Sequence, residues 1–194
     1  MAGGNAIVHF YNQSGPKRMR NPESGPGIFQ MSWVVADLEE AAHRWHRTTG
    51  VGPFLVNRHI AIAEPMYRGT AGPIDFSTAI AQAGPVQVEL VQQHDDNPSC
   101  YRDMVPAGEE GMHHTAIMAS DYDAALEHYT AQGFEVASSG LFGAVRFCYV
   151  DCRSALGHMV EILEDSPAIR SFFAAIERAG DTWDGDPATL LREL

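Results

Sequence analysis

The chain has no apolar run approaching the ~20 residues that a membrane-spanning helix requires, and no membrane partner is expected. Its opening stretch, "MAGGNAIVHFYNQSGPKRMR", lacks a basic start followed by a long apolar segment, which argues against a secretory signal. Cysteine is scarce. Cys100, Cys148 and Cys152 are odd in number and none forms a CxxC pair, so a reducing, cytoplasmic setting is expected. Cations are scarce as well: 13 Lys and Arg stand against 25 Asp and Glu, a formal net charge of −12, with no basic cluster longer than "PKRMR" at 16–20. Such a chain repels polyanions, and no nucleic-acid partner is expected.

What the chain does have is enough apolar material for a core, 45% of 194 residues, and an internal repeat. "QMSWVVADLEEAAHRW" (30–45) aligns without a gap on "HTAIMASDYDAALEHY" (114–129). Gln30 falls over His114, Asp37 over Asp121, Ala41 over Ala125 and Trp45 over Tyr129. Each copy reads as a strand, an Asp N-cap and a helix with an aromatic residue on its buried side. Strand-like stretches follow in both, "PFLVNRHIAI", "IDFSTAIAQA" and "PVQVELVQQ" in the first, "FEVASS", "AVRFCYV" and "GHMVEILED" in the second.

Two βαβββ units follow, over 28–96 and 111–164. The first is longer in its middle, where "EPMYRGTAGP" (64–73) is rich in turn formers and reads as a substrate loop. Between the units, 97–110 is expected to carry a short helix opened by Asn97-Pro98 and closed before Pro106 and Gly108. Residues 165–194 hold a capped amphipathic C-terminal helix, "DSPAIRSFFAAIERAG", and a tail, while 1–27 reads as an extended arm.

The repeat places polar residues at matching points of apolar strands. Gln30, Glu89, His114 and Glu161 sit in "IFQMSWVV", "VQVELV", "HHTAIM" and "HMVEIL". Burying a carboxylate without a partner costs several kcal/mol. A divalent cation shared by all four would remove that cost, and a pseudo-twofold relation between the units would bring both pairs to one axis. The doublet His113-His114 supplies one ligand only, because neighbouring side chains in a strand point to opposite faces. His114 stands seven residues before Asp121, as Gln30 does before Asp37. His113 is therefore expected on the helix side of the sheet, packed or hydrogen-bonded.

The paired units, the polar residue seven before "DL" or "DY" and the Glu ending each unit resemble the vicinal oxygen chelate (glyoxalase and bleomycin-resistance) superfamily over about residues 28–164. Within it, "VQVELVQQHDDNPSCYRDMVPAGEEGMHHTAI" is similar to the middle of methylmalonyl-CoA epimerases. The set Gln30, Glu89, His114 and Glu161 resembles instead the metal ligands of glyoxalase I. The resemblance implies an α+β fold in which two tandem βαβββ modules form a curved mixed sheet around a metal-binding cleft, with the C-terminal helix added.

One imidazole and three oxygen donors suit zinc, nickel, cobalt or manganese and leave two positions open for vicinal substrate oxygens. The implied activity is that of a divalent-metal-dependent isomerase, epimerase or lyase, moving a proton through a metal-stabilised enediolate on a small carbonyl or acyl-thioester substrate. Glu161 and Glu89 are the expected catalytic bases, with Glu64 of the inserted loop a weaker candidate. Two other activities occur on such a fold. A ring-cleaving dioxygenase would need two histidines and one carboxylate on iron, and Gln30 argues against it. A non-catalytic drug- or metabolite-binding protein of the bleomycin-resistance type would not need the four ligands. Arg58, Arg68, Arg102, Arg146 and Arg153 are available to meet an anionic thioester, His94 and His158 fall off the ligand faces, and Cys148 and Cys152 read as structural. The linker at 97–107 favours both units folding on each other in the same chain, as the resemblance to the epimerases implies, whereas the resemblance to glyoxalase I allows a homodimer in which the units pair between chains.

Overall fold

The computed structural model describes residues 27–194; all but the last residue of the expected arm lies outside the described residues. The first unit comprises β1 (Ile28–Val34), α1 (Leu38–Thr49), β2 (Phe54–Asn57), an inserted hairpin of β3 (Ile62–Tyr67) and β4 (Thr70–Ala71), then β5 (Phe76–Ala83) and β6 (Val86–Gln93). The second comprises β7 (Gly111–Ala119), α2 (Tyr122–Thr130), β8 (Val136–Phe142), β9 (Val145–Val150), the single turn α3 (Arg153–Leu156) and β10 (Met159–Glu164). α4 (Pro167–Thr182) and β11 (Leu191–Glu193) complete the chain.

Both repeat helices start for the reason their sequences share. Asp37 Oδ1 accepts from the Glu40 N–H at 2.8 Å, and Asp121 Oδ1 from the Ala124 N–H at 3.0 Å, each satisfying an orphan donor of the first turn. Leu38, Ala41 and Ala42 of α1 then bury against Val88 and Leu90, while Tyr122 of α2 buries against Val160 and Ile162. Because these apolar positions alternate along β6 and β10, the residues between them must face the other side of the sheet.

All eleven strands form one sheet in the order β11-β2-β5-β6-β1-β7-β10-β9-β8-β3-β4. The two units mirror one another about the antiparallel β1·β7 pair, with β2, β5 and β6 answering to β8, β9 and β10. The insertion breaks that symmetry in an informative way. β2 lies near one edge and β3 near the other, eight strand spacings away, or about 38 Å if the sheet were flat. Asn57 and Ile62 are joined by a chain that can span at most about 18 Å. The sheet must therefore curl until its edges nearly meet, and the segment between β2 and β3 bridges the mouth of the resulting trough.

β3 docks on β8 where Gly140 leaves no room for a side chain. A Cβ there would stand 2.5 Å from Ile62 Cγ2 and 3.2 Å from the Ala63 carbonyl oxygen. Gly140→Ala is expected to cost about 1–3 kcal/mol through this overpacking, read as a lowered midpoint of urea unfolding. An unchanged midpoint would mean that β3 is not held tightly on β8.

The expected linker helix is not formed. Between Pro98 and Pro106 the chain makes turns, with Asp103 N–H on the Ser99 carbonyl (3.0 Å) and Val105 N–H on that of Tyr101 (2.9 Å). Seven residues between two prolines allow too few i to i−4 bonds to offset helix nucleation. α4 does form, capped by Ser166 with Pro167 in its first turn. It lies across the inside of the trough, with Ile176 buried against Leu55 and Ile80.

Candidate active site

The concave face carries what the alternation leaves there. Gln30, Glu89 and Glu161 line one cleft, walled by Thr78, Ile80, Phe142, Phe147, Tyr149 and Leu163 among others. Ile60 and Ile62 of the insertion close one side, and Ile169, Phe172 and Phe173 of α4 close another. The cleft is thus built within one chain, from both units. Glu64 stands in β3, exposed and outside the cleft lining, so the structure does not bring it to these residues.

His114 lies wholly buried beneath Glu89 and Glu161. Its Nε2 is 3.4 Å from Glu89 Oε2 and 3.4 Å from Glu161 Oε2, yet it has no hydrogen-bond partner. Gln30 is 2% exposed and its buried Nε2 also lacks a partner; an amide flip would present the oxygen at that position instead. Burial disfavours a charge on His114, but the Glu161 and Glu89 carboxylates overcome this and raise its pKa to about 9. The place between the two carboxylates is one that calls for positive charge.

His113 is packed and hydrogen-bonded, as expected, but it does not turn to the helix side of the sheet. The β1·β7 register shifts between Ser32 and Trp33, which pair with His114 and Met112, and His113 falls in the gap. A bulge of this kind re-aims a side chain. The His113 ring accordingly sits at the side of His114, Nδ1 to Nδ1 at 2.9 Å, and packs against Tyr101 and Tyr149, the latter a cleft residue. Its Nε2 is 3.0 Å from the Cys100 carbonyl oxygen. That oxygen can only accept, so Nε2 donates. Burial and the adjacent His114 hold the His113 pKa well below the usual value, and the neutral ring has Nδ1 free to accept from His114 Nδ1–H. The carbonyl of Cys100 thereby settles the tautomer of His114 through His113, and Nε2 becomes the atom His114 offers to the cleft.

Tyr101 and Tyr149 face one another, hydroxyl to hydroxyl at 3.2 Å, and burial pushes both phenols well above their usual pKa, so they stay protonated. The arginines are engaged elsewhere. Arg58 pairs with Glu39 and Glu193, Arg68 with Asp103 and Asp151, Arg146 with Asp123 and Glu164, and Arg153 with Asp151. Arg102 donates to the Gln93 carbonyl oxygen. No arginine or lysine among the described residues lines the cleft. His158 is bonded to the Met159 carbonyl and His94 is exposed beyond β6, both away from the cleft. Cys100, Cys148 and Cys152 are buried and free, with burial pushing the Cys148 and Cys152 thiols up to about 11.

Residues 29–149 match the family model described as Glyoxalase/Bleomycin resistance protein/Dioxygenase superfamily. Among solved structures the chain is similar to a hypothetical protein from Bacillus halodurans C-125 (14% identity, TM-score 0.51, covering 74% of this chain and 96% of that one). It is also similar to a methylmalonyl-CoA epimerase in complex with methylmalonyl-CoA and NH4+ (15%, TM-score 0.50, 74% and 97%). A variant of Streptomyces coelicolor methylmalonyl-CoA epimerase in complex with 2-nitronate-propionyl-CoA gives the same identity, score and coverage. At these identities the likeness is one of fold. No curated protein sequence matches the chain.

Proposed function

Because the chain belongs to the glyoxalase/bleomycin resistance protein/dioxygenase superfamily, we propose that its cleft holds one divalent metal ion and that the protein is a metal-dependent isomerase, epimerase or lyase acting on a small carbonyl compound. One observation carries this reading: the wholly buried His114 Nε2, without a hydrogen-bond partner, stands 3.4 Å from each of two cleft carboxylates. Donors about 2.1 Å from a common ion lie about 3.0–3.4 Å from their neighbours, so each His114–carboxylate spacing is that of neighbouring donors on one ion, and a turn of the two carboxylates toward one another would complete the set. Gln30, Glu89, His114 and Glu161 are the proposed ligands, a nitrogen and oxygen set suited to zinc, nickel, cobalt or manganese.

When bound, such an ion would act as a Lewis acid toward two vicinal substrate oxygens and acidify the adjacent C–H. The chain supplies the rest. Glu161, from the second unit, and Glu89, from the first, reach the cleft from opposite sides of His114, so that one carboxylate can take a proton from the substrate carbon and the other return one. His113 holds the His114 ring in its tautomer. α4 and the insertion exclude water with phenylalanine and isoleucine.

The walls also bear on the substrate. A glutathione or coenzyme A conjugate would bring carboxylates or phosphates that need cations, whereas the described cleft lining has none. A compact, largely apolar carbonyl compound with its two oxygens at the carboxylate end fits this lining better than a long anionic thioester. A ring-cleaving dioxygenase is disfavoured because only one imidazole nitrogen faces the carboxylates, both nitrogens of His113 being occupied.

Metal analysis of untagged protein, purified without added metal and then offered zinc, nickel or cobalt, tests the reading. His114→Ala should lose one equivalent of ion relative to the parent, and the parent should exchange deuterium into one member of a panel of α-hydroxy and α-keto compounds. Equal metal content in parent and variant would overturn it.

A further inference from the structure

We infer a second cation site, outside the cleft, made by His59, Asp75 and His94. One ligand atom of each lies within 4.8 Å of both others, the one group of three His, Cys, Asp or Glu donors that meets this spacing among the described residues. Donors about 2.1 Å from one ion are at most about 4.2 Å apart, so a shift of a few tenths of an ångström completes the set. Two imidazoles and a carboxylate suit zinc, cobalt, nickel or copper rather than calcium or magnesium.

The backbone fixes the three positions before any ion arrives. Ile60 N–H donates to the Phe76 carbonyl oxygen (2.9 Å), His94 N–H to that of Asp75 (2.8 Å) and His59 N–H to Ser77 Oγ (3.0 Å). His59 is held at φ 48°, in the left-handed region that a non-glycine residue adopts only when its surroundings impose it. The two rings lie 4.5 Å apart, and His59 Nδ1 is 2.7 Å from Asp75 Oδ1. His94 Nε2 is 2.7 Å from the buried Ser77 Oγ. When His94 gives its Nε2–H to that oxygen, its Nδ1 lone pair is free for a metal, the arrangement in which a second partner orients a ligating histidine.

The placement suggests what the ion does. His59 stands at the entry to the insertion, Asp75 at its exit and His94 at the end of β6. An ion there would clip both ends of the inserted arm to the first unit while the tip of the arm docks on β8 of the second. His59 and Asp75 side chains are 62% and 45% exposed, so the site is open to ions from solution and water can complete the coordination. The acidic chain favours cation encounter.

The test uses untagged His114→Ala protein, which lacks the proposed cleft ligand, titrated with cobalt(II) and followed by visible absorption and thermal unfolding. One cobalt per chain is expected, with a rise in Tm. Adding His59→Ala or His94→Ala should weaken binding by at least the roughly 10–100-fold that even a hydrogen-bond partner of a ligand is worth, and remove the Tm rise. His94→Gln serves as a second variant should the alanine chain fold poorly, with the same loss expected. Cobalt binding by the double variants equal to that of His114→Ala alone, or no binding by His114→Ala at millimolar cobalt, would overturn the proposal. Because every protein compared carries the same His114→Ala cleft, the loss caused by His59→Ala or His94→Ala reports on the second site whether or not the cleft holds metal.

Discussion

Glu161→Gln is expected to lower turnover by about 10²–10⁴-fold, the range a positioned general base contributes, while the folded protein survives. Glutamine keeps the volume and one oxygen donor of a side chain that is 12% exposed. What it removes is the negative charge and the capacity to take a proton. The two proposed roles of Glu161 separate by experiment. If the carboxylate acts chiefly as the base, Glu161→Gln retains bound metal and loses deuterium exchange at the substrate carbon. If it acts chiefly as a ligand, metal content falls in step with activity. Glu89→Gln, examined in parallel, identifies which carboxylate takes the proton and which returns it, because exchange and product formation need not fall together. Unchanged turnover in Glu161→Gln would remove that residue from both roles.

Much of the trough could be read from the sequence because it is written twice. Asp37 and Asp121 each cap a helix, and Val88-Leu90 and Val160-Ile162 each fix a strand face, so Glu89 and Glu161 had to share the opposite one. His114 followed from its spacing to Asp121. The direction of His113 did not, since strict alternation holds only in an unbroken ladder and the register shift at β1·β7 depends on the partner strand. The docking of β3 on β8, the parallel pairing of β11 with β2 and the place of α4 over the cleft are likewise contacts between segments far apart in the chain. The spacing of Ile169, Phe172, Phe173 and Ile176 showed one apolar face; nothing local said which surface it would cover. The arginines illustrate the same limit. Their number was legible, but whether they remained free for a ligand was decided by where Asp103, Asp151 and Glu164 came to lie.

Arg68→Met is expected to lower stability by about 2 kcal/mol at neutral pH, a discounted share of the 3–5 kcal/mol seen when a fully buried pair loses one partner. The discount reflects side-chain exposures of 27% for Arg68, 18% for Asp103 and 14% for Asp151. Arg68 Nη2 donates to Asp103 Oδ2 and to Asp151 Oδ2, both at 2.6 Å, and its backbone N–H donates to the Ala137 carbonyl oxygen at 3.0 Å. It therefore ties the β3–β4 turn to the inter-unit linker and to the end of β9. Methionine retains the apolar stem and leaves two carboxylates close together, Asp151 still held by Arg153 and Asp103 by the Tyr67 hydroxyl. For a chain of this size the loss corresponds to a fall in Tm of about 4–8 °C. Its pH dependence distinguishes an electrostatic cause from simple packing. Arg153 first, and then Arg68, hold the Asp151 carboxyl well below the usual carboxylate range. A depressed carboxylate stabilises the fold fully above the unfolded pKa of about 3.9 and loses that contribution as pH falls toward its folded value. The gap in Tm between parent and Arg68→Met should thus be constant from pH 7 to about pH 5 and narrow at lower pH, where the Asp151 carboxyl, no longer held by Arg68, takes up its proton in the folded variant before it does in the parent. A gap that stays constant to low pH would assign the effect to packing of the arginine stem. Arg68→Lys should recover only part of it, because a single ammonium cannot reproduce the guanidinium's planar fork between two carboxylates.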